Sequence, residues 1–256
     1  GLQSTPNTNI GEATGDGCEF SINGGHHFTN DFWMRIMFNF TYAASKYKVY
    51  EEPDYSATPW LSHEGRKLSQ SWGWIAERLF VDKADVDNSP VQQFGEYMAG
   101  DIKYKDINQD GIIDSQDVVP IGYPTTPEIT YGFGTSVGYH NIDFSVFFQG
   151  QGRSSFYIEP AAVTPFVNSL SASRIGSNAV LKFIENDHWS EDNQNIYAAW
   201  PRLSTYWNWN NDRHSTWWLR NGSLLRLKSA EIGYTLPNKF IRKANMSLVR
   251  FYLSGT

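Results

Sequence analysis

Two eleven-residue stretches of this chain alternate with a period of two. From Phe32 to Tyr42 the even positions are Phe32, Met34, Ile36, Phe38, Phe40 and Tyr42, and the odd ones are Trp33, Arg35, Met37, Asn39 and Thr41. Successive side chains of a strand point to opposite faces, so the segment makes a strand with one apolar and one mixed face. From Ile129 to Tyr139 one face carries Ile129, Tyr131, Phe133, Thr135, Val137 and Tyr139, while the other is Thr130, Gly132, Gly134, Ser136 and Gly138. A sandwich core strand seldom builds its polar face from glycine. A barrel wall can, because small residues leave room in the lumen. Eleven residues also matches a tilted membrane-crossing strand, which needs about 9 to 11.

The alternation resumes after His140-Asn141 at Ile142, Phe144, Val146 and Phe148, which predicts a tight hairpin. Further strands are expected at 18–24, 223–236 and 247–254, with a change of phase near Ser229-Ala230 that a bulge would explain. One more is expected at 71–80, inside a long connection. The connections then run short (25–31), long (46–128), short (140–141), long (150–222) and short (237–246). Bacterial outer-membrane barrels alternate this way, with short periplasmic turns and long extracellular loops, whereas soluble sandwiches do not normally lengthen every second turn. The expected fold class is therefore all-β: an antiparallel transmembrane β-barrel segment with long extracellular loops.

Composition narrows the partners. Among 256 residues the formal net charge is −6, and basic residues are not concentrated on any stretch, which argues against nucleic acid. No apolar run reaches the length of a transmembrane helix, and the start, Gly1-Leu2-Gln3, has no signal-peptide pattern. The lone cysteine, Cys18, has no internal partner and reads as a small strand residue. Aromatics make up 16% of the chain. That figure suits a carbohydrate-binding module, an aromatic-cored β enzyme or the aromatic girdles of a barrel alike. Trp207, Trp209, Trp217 and Trp218 are candidates to stack on sugar rings, with loop-to-loop packing the favoured alternative.

One segment carries metal chemistry. Residues 106–117 place Asp106, Asn108, Asp110, Ile112 (through its carbonyl), Asp114 and Asp117 at calcium-loop spacing, with Gly111 at the sharp turn. The last ligand is Asp rather than Glu, and no helices flank the loop. The competing reading is an Asx-rich turn whose side chains cap their own backbone. A bound Ca²⁺ would stiffen the loop rather than perform catalysis. Glu185, Asp187 and Glu191 lie near His188, as hydrolase acids would, but no nucleophile elbow, phosphate loop or zinc spacing accompanies them, and no enzyme is expected.

Several blocks, in order, resemble the SusC/RagA family of TonB-dependent transporters. They are Gly100-Asp101-Ile102-Lys103-Tyr104-Lys105-Asp106 through the acidic loop to Ile121-Gly122-Tyr123-Pro124; Pro127 to Gly134; Asp143 to Gly150; His188-Trp189-Ser190; Pro201-Arg202-Leu203; Trp218 to Lys228; Glu231 to Pro237; and Phe251 to Thr256. The resemblance implies an outer-membrane transporter of Bacteroidota, a barrel of about 22 strands around a plug. It implies import of glycans or peptides under a SusD-like surface lipoprotein, driven through TonB. Residues 1–256 would be the C-terminal part of that barrel, with plug, TonB box and leader lying elsewhere and the strand at Thr256 running on. The alternative is a secreted, Ca-stabilised carbohydrate-binding β module.

Overall fold

The computed structural model describes residues 10–166, 178–242 and 246–256. Strands, in chain order, are β1 Glu12–His27, β2 Phe32–Val49, β3 Ser71–Gly73, β4 Ala76–Leu79, β5 Val91–Gln92, β6 Ile102–Tyr104, β7 Ile112–Ile113, β8 Val119–Ile121, β9 Ile129–Tyr139, β10 Ile142–Gly152, β11 Ser155–Tyr157, β12 Leu219–Asn221, β13 Leu224–Thr235 and β14 Arg250–Gly255. Short helices are α1 Lys83–Asp87, α2 Pro160–Val163, α3 Lys182–Asn186 and α4 Asn238–Ile241. Among the described residues no helix is long and apolar enough to cross a membrane. The chain divides into two units. A sheet unit comprises Thr14–Lys46, Thr126–Ser154 and Gly222–Thr256, and a loop unit comprises Tyr47–Thr125, Ser155–Asn221 and the N-terminal stretch to Ala13.

The sheet unit is one antiparallel sheet in the order β1-β2-β9-β10-β13-β14. The two alternating stretches pair along their whole length, Phe32 opposite Tyr139 and Tyr42 opposite Ile129. His140 turns the β9–β10 hairpin with φ at 51°, in the left-handed region a two-residue connection requires. The register sets Tyr42, Ile129, Gly152 and Leu224 toward one end of the sheet, where both long connections leave. Phe32, Tyr139, Ile142 and Tyr234 mark the other end, where the connections are short. The last of these carries a turn of helix, α4, which the sequence did not indicate. β1 and β2 also run longer than the alternating pattern, to 16 and 18 residues.

The predicted change of phase in β13 is a bulge. Phe147 pairs with Ser229 and Phe148 with Leu227, so Lys228 is skipped. That extra residue keeps Leu225 and Leu227 on the same face as Ala230, Ile232 and Tyr234, which simple alternation would not. The face so completed runs through Phe38, Phe133, Phe144, Ile232 and Phe251, and all of these are exposed. Phe144 is 42% accessible and Ile232 51%.

The glycine face differs from expectation. The space beside the glycines is filled by rings from neighbouring strands rather than left open. A Cβ on Gly138 would fall inside the Trp33 indole, and one on Gly132 or Gly134 would strike the Phe147 ring. Trp33 stands opposite Gly138, and Phe147 opposite Gly134, in the register. Missing side chains on β9 thus create slots for large ones on β2 and β10.

The loop unit has its own core. Leu79, Ile102, Tyr104, Ile113, Ile184, Trp189, Ala198, Trp200 and Trp218 are buried together. Each large apolar side chain covered in this way contributes about 1.5–3 kcal/mol. Its strands are only two to four residues long and pair across long sequence distances: β3 with β8, β4 with β6, β5 with β7, β11 with β12. The single strand expected at 71–80 is two, β3 and β4, with different partners. The reason lies at Trp74, whose amide donates to the His214 carbonyl and whose carbonyl accepts from Thr216, so it joins a third segment.

Candidate functional site

The charged and amide groups of the loop unit converge beside Gly100-Asp101. Gly100 has φ at 81°, and a Cβ there would collide with the Trp189 ring. A side chain is thus excluded twice, by backbone conformation and by space. Asp101 is fully buried and lies 2.8 Å from Arg202. It also accepts from the side-chain amides of Asn208 (2.8 Å) and Asn211 (2.9 Å) and from the Met98 amide (2.9 Å). Burial raises the Asp101 pKa above the usual carboxylate value, although Arg202, Met98 and Asn211 all favour the ionised form.

The network continues through amide side chains. Gln92 donates to the Ile102 carbonyl and to Asn210, and its oxygen accepts from the Tyr104 amide. The Tyr104 hydroxyl donates to the Asn210 carbonyl, and burial pushes its pKa far up. The Trp218 indole donates to the Asn211 carbonyl. Hydrogen-bonded buried polar groups of this kind fix one arrangement of segments far apart in the chain, because any loss leaves a desolvated donor or acceptor. Nearby, Arg78 and Lys103 both hold Asp85, at 2.5 and 3.1 Å. The hydrogen bond from Arg78 depresses the Asp85 pKa well below the carboxylate range.

The acidic loop is self-capped. Asp106 accepts from the amides of Gln109 and Gly111, Asp110 from that of Ile112, and Asp114 from that of Gln116. Asn108 caps Asp110. Asp117, at the position where a bidentate ligand would sit, is buried and accepts from Ile107, Asn108 and Asp114. Ile112 lies in β7, paired with Val91. Among the described residues no three His, Cys, Asp or Glu side chains are gathered as ligands. These capping bonds are the ones an Asx-rich turn makes.

The candidate tryptophans separate. Trp218 is 3% exposed, inside the core, and Trp217 packs against that core, so neither offers a platform. Trp207 and Trp209 meet edge to face at 6.3 Å, and Arg213 lies over Trp209. Trp209 is 47% exposed. Of the acids near His188, Asp187 accepts from the Ala199 amide. His188 turns Nδ1 to the Ile184 and Glu185 carbonyls rather than to a carboxylate, so no catalytic dyad forms there.

No family model matches the chain. It is 27% identical over 261 residues to TonB-dependent receptor P3 of Formosa agariphila, covering 96% of this chain and 24% of that protein. It is 29% identical over 161 residues to TonB-dependent receptor P26 of the same organism, covering 62% of this chain and 15% of that one. Among solved structures, the RagAB peptide transporter superposes with a TM-score of 0.63 at 19% identity, over 96% of this chain and 25% of that one. The RagAB peptide importer in its open-open state gives 0.61 at 18%, over 97% and 26%. The chain is thus similar to one stretch of TonB-dependent receptors and shares its fold with part of the RagAB structures. It spans 24% of the length of TonB-dependent receptor P3.

In this chain the blocks that carry the resemblance meet in space. Gly100-Asp101, Trp189 and Arg202 come from three of them and touch at one point. Sequence reasoning missed the partners that complete the junction, Gln92, Asn208, Asn210 and Asn211. The only signal was the dense Asn and Trp run from Trp207 to Asn211, which read as aromatic alone.

Proposed function

We propose that this chain forms part of the wall and outer loops of an outer-membrane transporter that imports nutrients in a TonB-dependent manner. The observation that carries the reading is the continuous apolar face of the six-stranded sheet, exposed from Phe20 on β1 to Leu253 on β14. Water-facing sheets do not hold such faces bare, because contiguous apolar patches associate. At about 3.3 Å per residue, eleven residues tilted by about 45° rise about 26 Å, the height of a barrel's apolar band. A carbohydrate-binding module would bury that face in a core of its own.

The finer reading follows the resemblance. Residues 1–256 belong to the C-terminal part of the barrel, with plug and TonB box elsewhere in the full protein. The cargo is glycan or peptide, captured with a SusD-like lipoprotein. Detergent dependence tests the core claim. The full-length protein should fractionate with outer membrane and need detergent for solubility, and recovery in the soluble fraction would overturn it. For the acidic loop we propose a structural role. Ca²⁺ titration of the full-length protein should release no heat at this loop, and a signal abolished by Asp110→Ala would reverse that assignment in favour of a cation site.

A further inference from the structure

A cavity of about 680 Å³ opens within the loop unit, in the size range of small-ligand sites. Its walls come from α1, the 97–99 segment, the 188–191 segment and Arg202-Leu203. The floor is apolar and adaptable: Val86, Met98, Leu203 and the Trp189 ring. Met98 is 51% exposed, and a bare methionine is a flexible surface for apolar groups of varied shape.

The charges around this floor are unequal in their commitments. Lys83 holds Asp87, and Arg202 holds Asp101. Among the described residues nothing engages the exposed Glu191 carboxylate. His188 turns Nδ1 to backbone carbonyls, so that nitrogen carries the proton and Nε2 presents a lone pair. Both uncommitted groups are therefore acceptors. An apolar floor beside two free acceptors matches an apolar side chain that carries an ammonium.

We propose that this cavity binds the amino-terminal end of a peptide that begins with a large apolar residue, or a free amine of the same shape. The ammonium pairs with Glu191, and the side chain lies on Met98 and Leu203. The assignment deepens the import reading by naming a ligand class, and rests on it only for access from outside. Calorimetry on the purified full-length protein in detergent therefore reports on the cavity whatever an uptake assay returns.

The probes are phenylalaninamide, phenethylamine and N-acetyl-phenylalaninamide. Phenylalaninamide should bind, and acetylation should weaken it at least about tenfold, as loss of one charge-assisted contact does. Phenethylamine binding as tightly as phenylalaninamide would assign the site to simple amines, and weaker binding would assign it to peptide ends. Glu191→Gln, on the exposed rim, should erase the preference for the free amine and leave the acetylated probe unchanged. Met98→Lys should weaken all three. Equal binding of free and acetylated probes, a Glu191→Gln protein that keeps its preference, or no heat at millimolar ligand would each overturn the proposal.

Discussion

Trp218 of the loop unit and Phe251 of the sheet are both large aromatics beside short strands, yet one is 3% exposed and the other 62%. The loop unit gathers its rings inward around buried Asn, Gln and Asp side chains. The sheet turns its rings outward in a continuous band and keeps ions on the opposite face, where Arg250 holds Asp143 and Glu231. Identical residue types thus obey opposite rules. The difference is what the proposed setting asks for: water around the loop unit, hydrocarbon against the band.

Substitutions break that contrast in graded steps. The largest effect belongs to the loop unit. Asp101→Ala leaves Arg202 and two asparagine amides without their acceptor and should cost about 3–5 kcal/mol, read as loss of the loop unit's protease resistance in the full-length protein. Phe144→Arg comes next. In a bilayer it should cost about 2–4 kcal/mol, measured by denaturant titration in lipid vesicles, whereas a water-facing strand would tolerate it.

The third prediction concerns pH. The folded-state pKa of Asp85 lies below its unfolded value, so its contribution is present at neutral pH and lost as pH falls below about 4. Asp85→Asn should remove about 1–3 kcal/mol at pH 7 and nothing once the native carboxyl is protonated, as followed by thermal melts across pH. Smallest of all, Trp209→Ala should change stability by less than about 0.5 kcal/mol, because its ring is already half in solvent. A larger loss would mean that the Trp207–Trp209 pair is a packing element after all.

The sheet was legible because a period of two is a direct record of two faces. Even the β13 bulge left its mark, as the switch from Leu225 and Leu227 to Ala230 and Ile232. What alternation could not say was what fills the glycine slots, since Trp33 and Phe147 lie on other strands. The loop unit was much less legible. Its strands are too short for periodicity, and its order comes from pairs such as Gln92 with Asn210, 118 residues apart. Such contacts leave no local pattern. The acidic loop shows the converse: calcium-loop spacing and Asx capping ask for the same residues at the same intervals, so spacing alone could not separate them.

The loop unit is assembled from two insertions with the β9–β10 hairpin between them in the chain. Its interior therefore has a timetable. Tyr104 waits for Asn210, and Asp101 for Arg202, so that interior cannot be completed until the chain has emerged past residue 218. Until then Gln92, Asp101 and Tyr104 of the first insertion stand without these partners, as expected of slow, non-local architectures. A chain stalled between the two insertions would carry a finished hairpin and an unfinished loop unit, open to proteolysis there.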